Sequence, residues 1–182
     1  MLAGCATNMN TYKQMALTNP DALIAISDSL LAIDSYKNDT SFVNIVIQAY
    51  ISEAQKLIAD EQLDEAFKKT QTALELNPDH KLAKYHNYLA AGHVNYKHGN
   101  VWKLWDAIGL YNKAADLFPE NGEPYYWMAR SFEKKDEKDF ESILEAYSLA
   151  LDKLEEGRLK TDAKERLARI KKEKTMFEDF WK

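Results

Sequence analysis

Four histidines close together are the first candidates for chemistry, because imidazole is a common metal ligand. All of them lie between His80 and His98. His86 and His93 are seven residues apart, which places them on one helix face but about 10.5 Å apart along its axis. One ion with bonds of about 2.0–2.1 Å cannot reach both, and no cysteine or carboxylate cluster accompanies them. The spacing therefore predicts no metal site and favours surface or groove positions for these histidines.

No other arrangement of residues predicts catalysis. The sequence has no glycine-rich phosphate loop and no G-x-S-x-G turn. Its one cysteine excludes an internal disulfide, and Cys5 is far in sequence from the histidines. The net charge of -5 gives no general attraction to nucleic acid. We therefore expect a protein that is not an enzyme, that needs no cofactor and that does not bind nucleic acid.

The segment Leu2-Ala3-Gly4-Cys5 resembles the lipobox of bacterial lipoproteins. The resemblance implies cleavage before Cys5, a lipid on that residue, and a location in the bacterial cell envelope facing the periplasm or the cell surface. The residues before Cys5 are too few for a membrane-inserting segment, so this interpretation expects a longer natural start. The alternative is an ordinary thiol in a cytoplasmic protein. Residues 1–18 are predicted to be an N-terminal tether that contains this segment, with residues 6–18 forming either a tether or a weak helix.

The remainder of the sequence has the periodicity of helices, and no segment alternates as a strand does. Asn19-Pro20 is a typical helix start, and Asn77-Pro78 is a typical stop. The connections are short, which favours antiparallel neighbours. The prediction is an all-α fold of about eight helices, at 20–36, 41–60, 63–76, 80–97, 101–118, 125–135, 140–155 and 161–181.

Two of these helices repeat one pattern. Residues 66–78 and 107–119 each begin with alanine, carry a second alanine seven residues later and end with proline. With the aromatic and small residues of the helices before them, they resemble the tetratricopeptide repeat (TPR) family. The resemblance implies a single domain at 19–182, a short right-handed solenoid with repeats at about 47–80, 85–119 and 122–155 and a capping helix at 161–181. It also places Ala54 against Ala66, and Gly92 against Ala107, where paired helices cross.

The same resemblance implies a binding groove for a protein or peptide, lined by the first helix of each pair. In this register the groove residues are Gln48, Ile51, Gln55, His86, His93, Lys97, Tyr126, Arg130 and Glu133. Arg130 and Lys97 together could receive a carboxylate. The alternative is that these residues are only solvated helix faces. Trp102 and Trp105 are predicted to pack in the core, with an exposed interaction patch as the alternative.

These features together predict an adaptor or assembly factor of the bacterial cell envelope. It would bind its partner in the groove and would be held at the membrane by a lipid on Cys5. One alternative is a transporter-associated accessory protein that binds a small ligand, which a closed apolar pocket would favour. Another is a cytoplasmic TPR scaffold.

Overall fold

The chain folds as a succession of α-helices. The computed structural model describes residues 3–180, with side chains from residue 9 onward, and contains no strand in that range. The prediction of an all-α fold is confirmed, with ten helices in the described range where the sequence predicted about eight. They are α1 (Ala3–Thr18), α2 (Pro20–Leu31), α3 (Asp34–Lys37), α4 (Thr40–Ala59), α5 (Leu63–Leu76), α6 (Lys81–His98), α7 (Val101–Leu117), α8 (Glu123–Lys135), α9 (Phe140–Lys153) and α10 (Arg158–Phe180).

Polar side chains fix where several helices begin. The Asp39 carboxylate accepts hydrogen bonds from the backbone N–H groups of Ser41 and Phe42 at the start of α4. Asn100 accepts one from Lys103 N–H at the start of α7, and Asp139 one from Ser142 N–H in α9. Each side chain satisfies backbone donors that the helix itself leaves unpaired. Three of the helix starts are thus fixed by a side chain. Asn19 before α2 makes no such hydrogen bond, so the start of that helix rests on Pro20 at its first position.

The predicted and observed helices differ at a few ends. The first predicted helix, at 20–36, is interrupted at Ala32–Ile33, where the extended backbone of Ile33 separates α2 from the single turn of α3. The last begins at Arg158, directly after Gly157, rather than at Thr161. The Thr161 hydroxyl instead donates a hydrogen bond to the Gly157 carbonyl from within the helix. Trp181, at the end of the predicted capping helix, lies outside the described residues.

The helices divide into two compact units, Met1–Ala90 and Ala91–Lys182, where the sequence predicted one domain. In the first unit α4 is the central element, and α1, α2 and α5 pack against it. Ala54 of α4 and Ala66 of α5 lie in one buried cluster with Leu57, so the predicted close approach of these two alanines is confirmed. The small side chains let the two helix backbones come together.

Part of the predicted tether is a packed helix. Ala16 of α1 is buried with Leu23, Ile45 and Ala49, and the Tyr12 ring meets the Phe42 ring edge-on at 5.3 Å. A tether would leave these side chains in water, so over residues 9–18 the structure has the helix that the sequence allowed, packed within the first unit, and not a tether. The side chain of Cys5 lies outside the part of the chain for which side chains are described. No helix in the described range is long and apolar enough to cross a membrane.

In the second unit, α7, α8, α9 and α10 pack in sequence order, each against the next. Their short connections make successive helices antiparallel. Tyr111, Tyr147, Ile143 and Ile170 are among the largest fully buried side chains. The last helix returns to touch α8 as well as α9, and this return builds the site described below.

The prediction that Trp102 and Trp105 pack in the core is wrong. They are 80% and 48% exposed. The buried stripe of α7 is formed instead by Leu104, Ala107, Ile108, Tyr111, Ala114 and Ala115. The helical period of 3.6 residues turns both tryptophans away from that stripe.

Candidate functional site

One face of α8 carries three polar side chains that the sequence predicts for the groove. Tyr126, Arg130 and Glu133 are spaced i, i+4, i+7, so they lie along one side of the helix. Across from them α10 presents side chains at the same kind of spacing, Asp162, Arg166 and Arg169. The six residues form a hydrogen-bonded array that we call the α8–α10 face.

Arg130 is held by aromatic side chains. Its guanidinium donates hydrogen bonds to the phenol oxygens of Tyr126 at 2.9 Å and Tyr96 at 3.1 Å. It also lies 5.9 Å from the ring centroids of Tyr96, Tyr126 and Trp127, within the range of a cation–π attraction. Burial disfavours the charged guanidinium, but the hydrogen bond with Tyr126 and the neighbouring phenols outweigh it, so the pKa of Arg130 lies above its ordinary value. Arg130 is thus a cation in a fixed position.

Asp162 connects Arg130 to the last helix. Its carboxylate accepts hydrogen bonds from Tyr126 Oη at 2.7 Å and from Arg166 Nε at 2.6 Å, and Arg130 lies 3.8 Å away. Burial alone would raise the pKa of Asp162, but the hydrogen bonds from Tyr126 and Arg166 lower it below its ordinary value. Asp162 therefore stays ionised at neutral pH.

Glu133 is the centre of the other half of the face. Its carboxylate accepts hydrogen bonds from Tyr147 Oη at 2.6 Å and from Arg166 at 3.0 Å, and a third from Arg169. Arg169 also donates to Glu173 at 2.8 Å. The pKa of Tyr147 lies far above the ordinary value because the phenol is buried, donates a hydrogen bond to Glu133 and lies beside the negative charge of that carboxylate. The phenol therefore keeps its proton and remains a donor.

The α8–α10 face is electrically balanced and partly open to solvent. Its three arginines are matched by the carboxylates of Glu133, Asp162 and neighbouring Glu173. The Arg130 and Arg166 side chains remain 23% and 26% exposed, and Arg169 46%. Guanidinium groups have more donors than these carboxylates occupy. The face can therefore donate hydrogen bonds to carbonyl or carboxylate oxygens of a bound molecule without first being reorganised.

His93 does not line an exposed groove, so this part of the predicted site is wrong. It is only 3% exposed, and its Nδ1 shares a hydrogen bond with Tyr111 Oη at 2.9 Å. The Trp127 ring lies edge-on at 4.6 Å. Burial lowers the pKa of His93 to about 4, so the ring is neutral at physiological pH. Helical spacing alone could not distinguish this inward position from one at the groove surface.

Gly92 and Gly99 each let a side chain from a later helix come close to α6. A Cβ on Gly92 would lie 2.5 Å from the Tyr111 ring, so Tyr111 rather than Ala107 provides its closest contacts. Gly99 has the left-handed φ of 70° that glycine favours at a helix C-terminus. The Lys134 ammonium passes over it and donates to the Tyr96 carbonyl at 2.8 Å. Lys134 thereby stabilises the end of α6.

The other predicted groove residues are divided between the two units. Lys97 is exposed on the last turn of α6, in the second unit. Gln55 is exposed and Gln48 half-buried on α4, in the first unit. His86 is half-buried in that unit, and burial lowers its pKa to about 4. Ile51 is a core residue at 1% exposure, so its assignment to the groove is wrong.

The contribution of α10 to the site was not predicted from the sequence. Asp162, Arg166, Arg169 and Glu173 follow the spacing i, i+4, i+7, i+11, which indicates one charged helix face. That signal was visible, but it is also typical of a solvated surface. Tyr96 was missed as well. Among the residues whose side chains are described, no group of three histidine, cysteine, aspartate or glutamate side chains could hold a metal ion.

Comparison with known proteins identifies the fold. The structure is similar to the crystal structure of the TPR domain of P58(IPK), with a TM-score of 0.54 and 14% sequence identity over 92% of this chain. This chain covers 47% of that domain's chain, or about half its length. Searches with protein-family models and among curated proteins gave no match. The predicted TPR-like fold is thus confirmed by structure.

Proposed function

We propose that this chain, which has the fold of a TPR domain, binds a protein or peptide partner and does so through the α8–α10 face. Helical repeats of this kind offer extended surfaces suited to polypeptide segments. The role that follows is that of an adaptor or assembly factor without enzymatic activity of its own.

The observation that carries the proposal is the way Arg130 is held. Tyr96, Tyr126, Trp127 and Asp162 fix its guanidinium, while about a quarter of the side chain stays exposed. A side chain ordered before binding loses little conformational entropy when a partner arrives. Arg166 and Arg169 are fixed in the same way by Glu133. The expected partner segment supplies carbonyl and carboxylate oxygens to this row of guanidinium groups.

Site-specific photo-crosslinking in the native host tests this proposal. A photoreactive amino acid in place of Glu173 borders the α8–α10 face, and one in place of Leu149 marks an exposed position of α9 outside it. We expect a crosslinked partner from position 173 only, and its loss when Arg130→Ala and Arg169→Ala are introduced together. Equal crosslinking from both positions, or crosslinking indifferent to both arginine substitutions, would exclude this face.

The proposal includes anchoring in the bacterial envelope through Cys5, supported by the lipobox-like Leu2-Ala3-Gly4-Cys5. Mass spectrometry of the protein made from its complete gene in the native host tests this part. We expect a lipid on Cys5, facing the periplasm or cell surface, and a soluble product from Cys5→Ser. An unmodified cysteine at this position would instead favour the cytoplasmic scaffold.

A small-ligand accessory role is the second candidate, and one observation favours it. His93 Nε2 is buried and has no hydrogen-bond partner among the described residues, so it could serve a polar ligand atom. A thermal-shift screen of amino acids, sugars and carboxylates, comparing wild type with His93→Gln, tests this role. A ligand that stabilises only the wild type would favour it, whereas no stabilisation by any of these compounds favours the polypeptide partner.

A further inference from the structure

The outer face of α7 has the features of a helix-packing surface. Trp102, Trp105 and Gly109 follow the spacing i, i+3, i+7, so they form one stripe along the outer side of the helix. Trp105 also meets the Phe132 ring of α8 edge-on at 6.2 Å. Trp102 is 80% exposed. A residue without a side chain lets another helix backbone approach closely, and large exposed side chains beside it offer anchors for that contact.

Gly109 is not explained by the fold around it. A Cβ built there would meet nothing within 4 Å, whereas the same atom on Gly92 would collide with Tyr111. Glycine in an exposed helix interior costs about 1 kcal/mol relative to alanine. The internal packing of the chain therefore gives no reason for glycine at this position, but a close approach by an external backbone would.

Each tryptophan of the stripe has a charged residue at the same distance on the other side of Gly109. Trp105 and Lys113 each lie four residues from Gly109, one before it and one after it. Trp102 and Asp116 each lie seven residues from it. Lys113 and Asp116 are exposed like the tryptophans. An antiparallel copy of the helix would thus place a cation opposite Trp105 and a carboxylate opposite Trp102.

We infer that the outer face of α7 binds a second copy of this chain, with the two α7 helices antiparallel and Gly109 on the two-fold axis. Each contact then occurs twice, as in any isologous dimer. The aliphatic chain of Lys113 packs on the exposed part of the Trp105 ring of the other copy. The ring already meets Phe132 and the Lys135 ammonium of its own chain, the latter 4.0 Å from its centroid. The Trp102 indole N–H donates to the carboxylate of Asp116 in the other copy. Asp106, three residues from Gly109, adds a charge next to Lys113 of the other copy.

The charges of the stripe disfavour an anionic lipid surface as the occupant. Asp106 and Asp116 share the stripe with the tryptophans, and their carboxylates would face the negative headgroups. The ammonium of Lys103 forms an ion pair with the Asp106 carboxylate at 3.6 Å. A lipid surface would also gain nothing from the missing side chain of Gly109, because only a packed backbone uses that space.

Analytical ultracentrifugation of the full chain over a range of concentrations tests the inference. We expect a monomer–dimer equilibrium, with a dissociation constant raised at least tenfold by Gly109→Leu and by Lys113→Glu. Leucine favours helix and points into open space, so the monomer should fold normally, which circular dichroism checks. Met176→Ala, an exposed apolar residue on α10, is the matched control and should leave the equilibrium unchanged.

Crosslinking tests the geometry. In a Cys5→Ser background, Gly109→Cys should link to itself with a short bis-maleimide. A mixture of Trp105→Cys and Lys113→Cys proteins should give linked heterodimers. A chain that stays monomeric throughout, or a dimer indifferent to Gly109→Leu, would overturn the inference. If the chain stays monomeric but binds anionic vesicles through Trp102, the occupant of this face is a lipid surface and the inference of a second copy is wrong.

Discussion

Asp162 of α10 accepts a hydrogen bond of 2.7 Å from the phenol of Tyr126 on α8. The two residues are 36 positions apart in the chain, and their contact joins the last helix to the helix that carries Arg130. The same carboxylate accepts a hydrogen bond from Arg166 of its own helix. Asp162 therefore orders the proposed binding face and also stabilises the packing of the last helix, and these roles lead to separate measurements.

We expect acid to destabilise the fold partly through Asp162. Its pKa in the folded chain is below the ordinary value of 3.8, so near and below that pH the unfolded chain binds more protons than the folded one. This contribution to stability is present above about pH 4 and is lost as the pH falls. In Asp162→Asn the free energy of unfolding should decline less between pH 5 and pH 3, as measured by urea denaturation. Parallel curves for the two proteins would contradict this role.

Replacing the central carboxylate should be more costly than replacing an exposed one. Glu133→Gln removes the charge that Tyr147, Arg166 and Arg169 share, and we expect a loss of about 1–3 kcal/mol in the free energy of unfolding. Glu173→Gln, on the exposed end of the same network, should cost about 0.5 kcal/mol or less.

A double-mutant cycle with Tyr147→Phe measures the link between Glu133 and its buried donor directly. Its coupling energy should be about 0.5–3 kcal/mol. If Glu133→Gln costs no more than Glu173→Gln, the network contributes no more than ordinary surface ion pairs.

The buried histidine should make stability sensitive to mild acid. Burial lowers the pKa of His93 from 6.5 to about 4, so between these values the unfolded chain takes up a proton that the folded chain does not. Stability should therefore fall as the pH decreases from 6.5 to 4, by up to about 3 kcal/mol from this residue. His93→Gln should remove that part of the decline in chemical denaturation. His98→Gln, at an exposed histidine of the same helix, should keep the decline of the wild type.

Two glycines should respond to alanine in opposite directions. Gly92→Ala forces a methyl group against the buried Tyr111 ring, which should cost about 1–3 kcal/mol of stability. Gly109→Ala meets open space and should gain up to about 1 kcal/mol from helix propensity. Denaturation of dilute protein, where association does not contribute, measures both. Stabilisation by Gly92→Ala would show that Tyr111 can move aside.

Local features of the sequence predicted the helices well. Helix α5 has the predicted bounds, Leu63–Leu76, and it ends there because Pro78 disfavours the helical conformation at Asn77. The apposition of Ala54 and Ala66 was also predictable, since only small residues fit where two helix backbones meet. The polar spacing of Tyr126, Arg130 and Glu133 identified one face of α8. All these signals act within a few residues along the chain.

The sequence by itself determined the helices, their order and their repeat pattern, because helical periodicity, capping and proline stops are encoded locally. Only the tertiary structure decided that His93 is buried, that Trp102 is exposed, and that Asp162 and Arg166 complete the face begun by Arg130. Periodicity shows that residues share a side of a helix, but not which side meets a neighbour. That choice depends on the crossing of helices more than 30 residues apart, as between Glu133 and Arg166.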